Sequence, residues 1–129
     1  MIDVERADFV SVPVRDLDRS AEFYGETLGL ERSRGYSERW REFELGNVSL
    51  ALIPIEMLGR QELTPTIAPI AIRVPDVAGA RKELEAAGVE FPMATIDSGV
   101  CHIAPFYDPD GNVLQLHRRY APFADGSQP

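Results

Sequence analysis

The sequence predicts an α+β domain built from two βαβββ modules, and three observations predict it. A strand–helix unit occurs twice, each copy is followed by segments of alternating polarity, and short glycine-bearing turns join those segments. The first copy is FVSVPVRDLDRSAEFYGETLGL, residues 9–30, and the second is PIAIRVPDVAGARKELEAAGVE, residues 69–90. Val74 lies 60 residues after Val14 and Asp76 lies 60 after Asp16, while Gly88 lies 59 after Gly29. Agreement within one residue marks an internal duplication.

Taken in order, Val10, Val12 and Val14 share one side of the opening strand, and Phe9, Ser11 and Pro13 share the other. Asp16 stands at a helix N-cap, where its carboxylate can accept from first-turn amides. Leu17, Ala21, Tyr24 and Leu28 form a helical stripe, and Gly29 supplies the left-handed stop. A strand could start over 30–33, with a turn at 34–37. Residues 40–45 (WREFEL) and 48–53 (VSLALI) read as a hairpin around Gly46 and Asn47. Residues 54–66 lose periodicity and read as the connector. In the second copy Ile70, Ile72 and Val74 alternate, Asp76 caps a helix over 77–87, and Gly88 ends it. Residues 89–95 predict a strand that Pro92 pushes towards an edge, and 97–99 a turn. CHIAPFY (101–107) and VLQLHRR (113–119) are the last strands, joined by the DPDGN turn at 108–112. This divides the chain into module one (7–54), a linker (55–66), module two (67–120) and a loose tail (121–129).

Composition narrows the function classes. One domain's worth of chain, 129 residues, buries roughly two thirds of its unfolded surface. The single cysteine, Cys101, leaves no internal disulfide, and together with a charged, unsignal-like start it points to a cytoplasmic protein. No apolar run approaches the roughly 20 residues that span a bilayer. A net charge of −8 argues against nucleic acid and anionic membranes as partners, and favours a cationic ligand or simply solubility.

The order βαβββ twice, with the motifs VRDLDRSAEFYGETLGL and FYDPDGNVLQL, resembles the vicinal oxygen chelate superfamily of glyoxalase I, bleomycin-resistance proteins and extradiol dioxygenases. The resemblance covers residues 7–120. It implies modules that pair into a curved, eight-stranded cup, with helices outside and a ligand or metal in the hollow. It also implies a homodimer. The superfamily's enzymes hold a divalent metal with a His or Gln early in the first strand of each module and a carboxylate or similar group on each last strand. The matching positions here are Phe9, Pro69, Ala51 and Gln115, and the first three have no donor. One amide oxygen would leave a hard cation without anionic compensation, so no metal and no cofactor are expected.

Other groups are weighed on their residues. Gln115 and His117 share a strand face and, with Glu42 or Glu44, could in principle hold a metal; a strand-end histidine near solvent is the plainer reading. Alternation leaves open whether His102 faces the hollow. DPDGN places Gly111 fourth, where a calcium loop needs its glycine sixth, so it reads as a turn. The residues expected to line the hollow are Phe9, Ser11, Ala51, Ile53, Ala71, Arg73, Val113, Gln115 and His117, joined by Trp40, Glu42 and Glu44 if Phe43 and Leu45 face the helix. That is a mostly apolar wall with a few polar groups. Trp40 serves either as packing or as a shelf for an aromatic or cationic ligand, with Glu42 as counter-charge. Arg73 either reaches water or meets an anion.

Two functions follow. One is a metal-free protein that sequesters a small organic, antibiotic-like molecule. The other is a lyase, isomerase or dioxygenase-like enzyme with Glu42, His102 or His117 as acid or base.

Overall fold

The computed structural model describes all residues, 1–129, and resolves two compact units, Met1–Pro65 and Thr66–Pro129. The first contains β1 (Phe9–Val14), α1 (Leu17–Glu22), β2 (Arg41–Glu44) and β3 (Ser49–Pro54). Its sheet has the order β1-β3-β2, with β1 parallel to β3 and β2 antiparallel to it. A parallel neighbour requires a crossover, which α1 begins. Val12, Val14, Leu50 and Leu52 are buried on the helix side against Ala21, Tyr24 and Phe43. Asp16 caps as expected, its Oδ1 accepting from the Arg19 amide at 3.1 Å.

The helix does not run on regularly to Leu28. Residues Phe23–Thr27 widen into a π-helical turn, and the Leu28 amide donates to the Phe23 carbonyl at 2.9 Å. Gly25 sits against the Phe43 ring there, and a Cβ would lie 3.2 Å from Phe43 Cε1. Gly29 then takes φ 73°, the left-handed stop. The strand expected over 30–33 is reduced to a bridge between Arg32 and Phe43. Hydrogen bonds from the Ser33 and Glu44 amides to Glu42 and Glu31 flank it.

The second unit contains β4 (Ile70–Arg73), α2 (Val77–Ala86), β5 (Ile96–Asp97), β6 (Cys101–Tyr107) and β7 (Val113–Arg119). Its sheet order is β4-β7-β6-β5, again with one parallel pair, β4 and β7. Val77, Leu84 and Val89 are buried with Ala104, Phe106, Leu114 and Leu116. Gly88 closes α2 at φ 88°. Asp76 is the N-cap by backbone, but its side chain makes no cap bond. Its carboxylate leans over Gly79, where a Cβ would lie 2.6 Å from Oδ2.

The strand expected over 89–95 does not form. Pro92 has no amide for a ladder, and other contacts hold the segment. Phe91 stacks on Phe106 at 5.5 Å, and the Arg81 guanidinium donates to the Met93 carbonyl and Thr95 hydroxyl at 2.8 and 3.1 Å. Pairing starts instead at β5, whose second residue Asp97 was expected to open the turn, and Gly99 at φ 89° makes the turn.

DPDGN is a turn with a buried interior. Asp108 Oδ1 accepts from the Asp110 and Asn112 amides at 2.8 and 2.9 Å, and Oδ2 from Asn112 Nδ2 at 2.8 Å. Asn112 Oδ1 accepts from the Thr66 amide at 2.9 Å. The tail is not loose from its first residue, because Arg119 donates to the Ala121 and Pro122 carbonyls and lies over Phe123. No helix is long and apolar enough to cross a membrane.

Candidate functional site

Residues paired across strands project to the same side, so the register assigns each side chain to a face. In the first sheet Phe9 lies opposite Ser49, Ser11 opposite Ala51, and Pro13 opposite Ile53; Glu42 pairs with Ala51 and Glu44 with Ser49. Phe9, Ser11, Ala51, Ile53, Glu42 and Glu44 therefore share the helix-free face. Trp40, just before β2, meets Phe9 edge to face, with ring centroids 5.4 Å apart at 78°.

The Glu42 carboxylate is held at this aromatic corner. Trp40 Nε1 donates to its Oε1 at 3.0 Å, and the Ser33 hydroxyl donates to its Oε2. Ser33 Oγ in turn accepts from the Gly35 amide at 3.1 Å. A Cβ on Gly35 would lie 2.7 Å from Glu42 Oε2, so only glycine lets the carboxylate come this close. Each oxygen keeps a lone pair for a further donor. Neither Ser33 nor Gly35 stood out in the sequence; the one signal was a serine and a glycine in a turn facing the hairpin.

A recess of about 460 Å³ opens beside this corner, lined by Phe9, Ser33, Arg34, Glu42, Glu44, residues 6–8 and residues 46–49. Most of these side chains are polar, against the expectation of a mostly apolar wall. The recess lies at the strand ends and the Gly46 turn, where polar groups collect. Within it Arg6 pairs with Asp8 at 3.1 Å, and Ser49 Oγ donates to Glu44 at 3.3 Å. Ser11 and Ile53 lie outside it, and Ala51 is fully buried at 0% exposure.

In the second sheet Ala71 pairs with Gln115 and Arg73 with His117. From β6, Tyr107 lies beside Val113, Pro105 beside Gln115, Ile103 beside His117, and Cys101 beside Arg119. All share the helix-free face. The members from β6 were absent from the expected lining, because alternation within β6 left its phase open; Arg119 continues the β7 set of Val113, Gln115 and His117 and was also left out.

His102 belongs to the other face, paired with Arg118 and Asp97. Its Nε2 lies 3.5 Å from Asp97 Oδ2, and its ring stacks on Tyr120 at 4.7 Å. The Gly99 amide and the Tyr120 hydroxyl, bonded at 2.9 and 2.8 Å, hold the Asp97 carboxyl below its ordinary range. Donation to that carboxylate pushes the Tyr120 phenol up.

No three His, Cys, Asp or Glu side chains converge on one point. At the positions the resemblance assigns to metal ligands, Phe9, Ala51 and Pro69 bring no donor and Gln115 one amide oxygen. That set does not fit a divalent cation, which takes several oxygen or nitrogen ligands.

Comparison with known proteins places the chain. The family model of the Glyoxalase/Bleomycin resistance protein/Dioxygenase superfamily matches residues 6–116. A "Probable lactoylglutathione lyase" of Vibrio parahaemolyticus is 32% identical over 115 residues, spanning 80% of this chain and 83% of that one. TnmS3, an antibiotic binding protein from Streptomyces sp. CB03234, is 26% identical, with a TM-score of 0.73 over 92% of this chain and 99% of its own. A glyoxalase/bleomycin resistance protein/dioxygenase from Nocardioides shares the fold, with a TM-score of 0.74, 21% identity, and coverage of 100% of this chain and 90% of its own. The chain belongs to the glyoxalase/bleomycin resistance protein/dioxygenase superfamily.

Proposed function

We propose that this protein is a metal-independent binder of a small aromatic or cationic organic molecule of antibiotic-like character, working as a homodimer. The observation that carries the reading is the Glu42 carboxylate, fixed by Trp40 and Ser33 and lining a recess together with the Phe9 ring. A protonated amine there gains a carboxylate and an aromatic face together. The donor-poor positions Phe9, Ala51 and Pro69 support metal independence, and similarity to the antibiotic-binding TnmS3 supports sequestration.

Trp40 is the only tryptophan, so its fluorescence reports the site directly. Titration with an aromatic amine and its uncharged isostere should show saturable quenching by the amine, weakened about tenfold in Glu42→Gln. Mass spectrometry should recover the amine unchanged. Equal binding by Glu42→Gln, or a changed ligand mass, overturns the reading. Sedimentation should give a dimer, and a monomer at high concentration removes that part of it.

The 32% identity to the "Probable lactoylglutathione lyase" favours one alternative, an enzyme using Glu42 or His117 for proton transfer or an atypical metal site. Its assay is lactoylglutathione lyase activity with and without added divalent metal. Turnover above the enzyme-free blank would establish the alternative.

A further inference from the structure

We propose that the helix-free face of the second sheet binds the oxyanion of a small molecule, a carboxylate or a phosphate group, through Arg73 and His117. The two residues are register partners on the adjacent parallel strands β4 and β7. Neighbouring strands lie about 4.8 Å apart, so one oxyanion can meet both side chains. Gln115 lies two residues along β7 on the same face, and its amide adds a donor; Ala71 opposite it leaves room.

Two features of the molecule point to a ligand here. Neither Arg73 nor His117 makes a side-chain hydrogen bond or ion pair, so the donors of both are open to a ligand. The face also carries no acidic residue, in a chain with 21 acidic and 13 basic side chains. Its other charged or titratable members are Cys101 and Tyr107 on β6 and Arg119 on β7; β5 contributes only Ile96. The Arg119 donors are spent on the Ala121 and Pro122 carbonyls, so it supplies positive field and Arg73 supplies the fork. This site does not depend on what occupies the recess over the first sheet.

The test uses the two histidines, His102 and His117, as an internal pair. Proton NMR of their ring resonances is followed at fixed pH and constant ionic strength while inorganic phosphate, and separately acetate, replaces chloride. The His117 ring, assigned with His117→Gln, should shift saturably while His102 stays still. The tighter of the two anions assigns the chemistry. Arg73→Gln should weaken binding about tenfold or more, and Arg73→Lys by less, because it keeps the charge and loses the fork. Chemical-shift dispersion confirms that each variant is folded. A linear, unsaturable shift, parallel movement of His102, or an unchanged response in Arg73→Gln shows an adventitious ion only and overturns the proposal.

Discussion

On the first sheet the helix-free positions include Phe9, Glu42 and Glu44; on the second, the positions with the same relation to their helix include Arg73, Gln115, His117 and Arg119. The helix sides are alike, Val12, Val14, Leu50 and Leu52 in one and Leu114, Leu116, Ala104 and Phe106 in the other, all buried. Packing against a helix favours apolar groups of suitable volume, and both modules supply them. The helix-free faces are under no such constraint and have diverged to opposite charge. The two modules thus share a scaffold and present two surfaces of different chemistry.

The modules also differ in their hairpins, and the largest expected effect lies there. Asp108→Ala should destabilise the protein by about 3 kcal/mol, because two amides and the Asn112 side chain lose a buried acceptor together. Asn47→Ala, in the exposed turn of the first hairpin, should change stability by less than about 0.5 kcal/mol. Chemical denaturation measures both; equal losses would break the contrast.

Next comes the aromatic corner, which the second module lacks. Gly35→Ala should push Glu42 off its bond to Trp40, since the new methyl claims the space of Oε2. We expect a shifted Trp40 emission maximum and about 1 kcal/mol of lost stability. An unchanged emission spectrum would show that the carboxylate does not depend on that glycine.

The helix caps sharpen the comparison at smaller scale. Asp16 bonds the Arg19 amide and Asp76 bonds none, so Asp16→Ala should cost about 1 kcal/mol and Asp76→Ala less than about half of that. Reversed costs would mean that Asp76 caps in solution.

The smallest effect is the pH response of the Asp97–Tyr120 pair, which has no counterpart in the first module. The Asp97 pKa is lowered in the folded chain, so its contribution is present above its ordinary value of 3.8 and is lost as pH falls below it. The Tyr120 pKa is raised, so its contribution is present below the ordinary 10.0 and is lost as pH climbs past it. Asp97→Asn should flatten the acid limb of the stability profile slightly and let Tyr120 ionise nearer 10.0 in an absorbance titration. An unmoved Tyr120 would show that the bond does not form in solution.

Much of this was legible in one dimension. Asp16, Gly29 and Gly88 act on residues within one helical turn, and the DPDGN knot bonds almost wholly to itself, so sequence by itself determined the repeated βα units, the Asp16 cap, the two glycine stops, and which residues of a strand share a side. Alternation carries a period but no absolute phase. For that reason the side taken by His102, and the places of Ile103 beside His117 and Pro105 beside Gln115, were decided by the register of β6 on β7. The failed strand at 89–95 and the bridge at Arg32 were decided the same way, since a strand exists only when a partner accepts its hydrogen bonds, and that partner lies far along the chain. The hold of Ser33 and Trp40 on Glu42 likewise needed a turn folded back over β2. Local bonds are written in neighbouring residues; faces and sites come from pairing between distant ones.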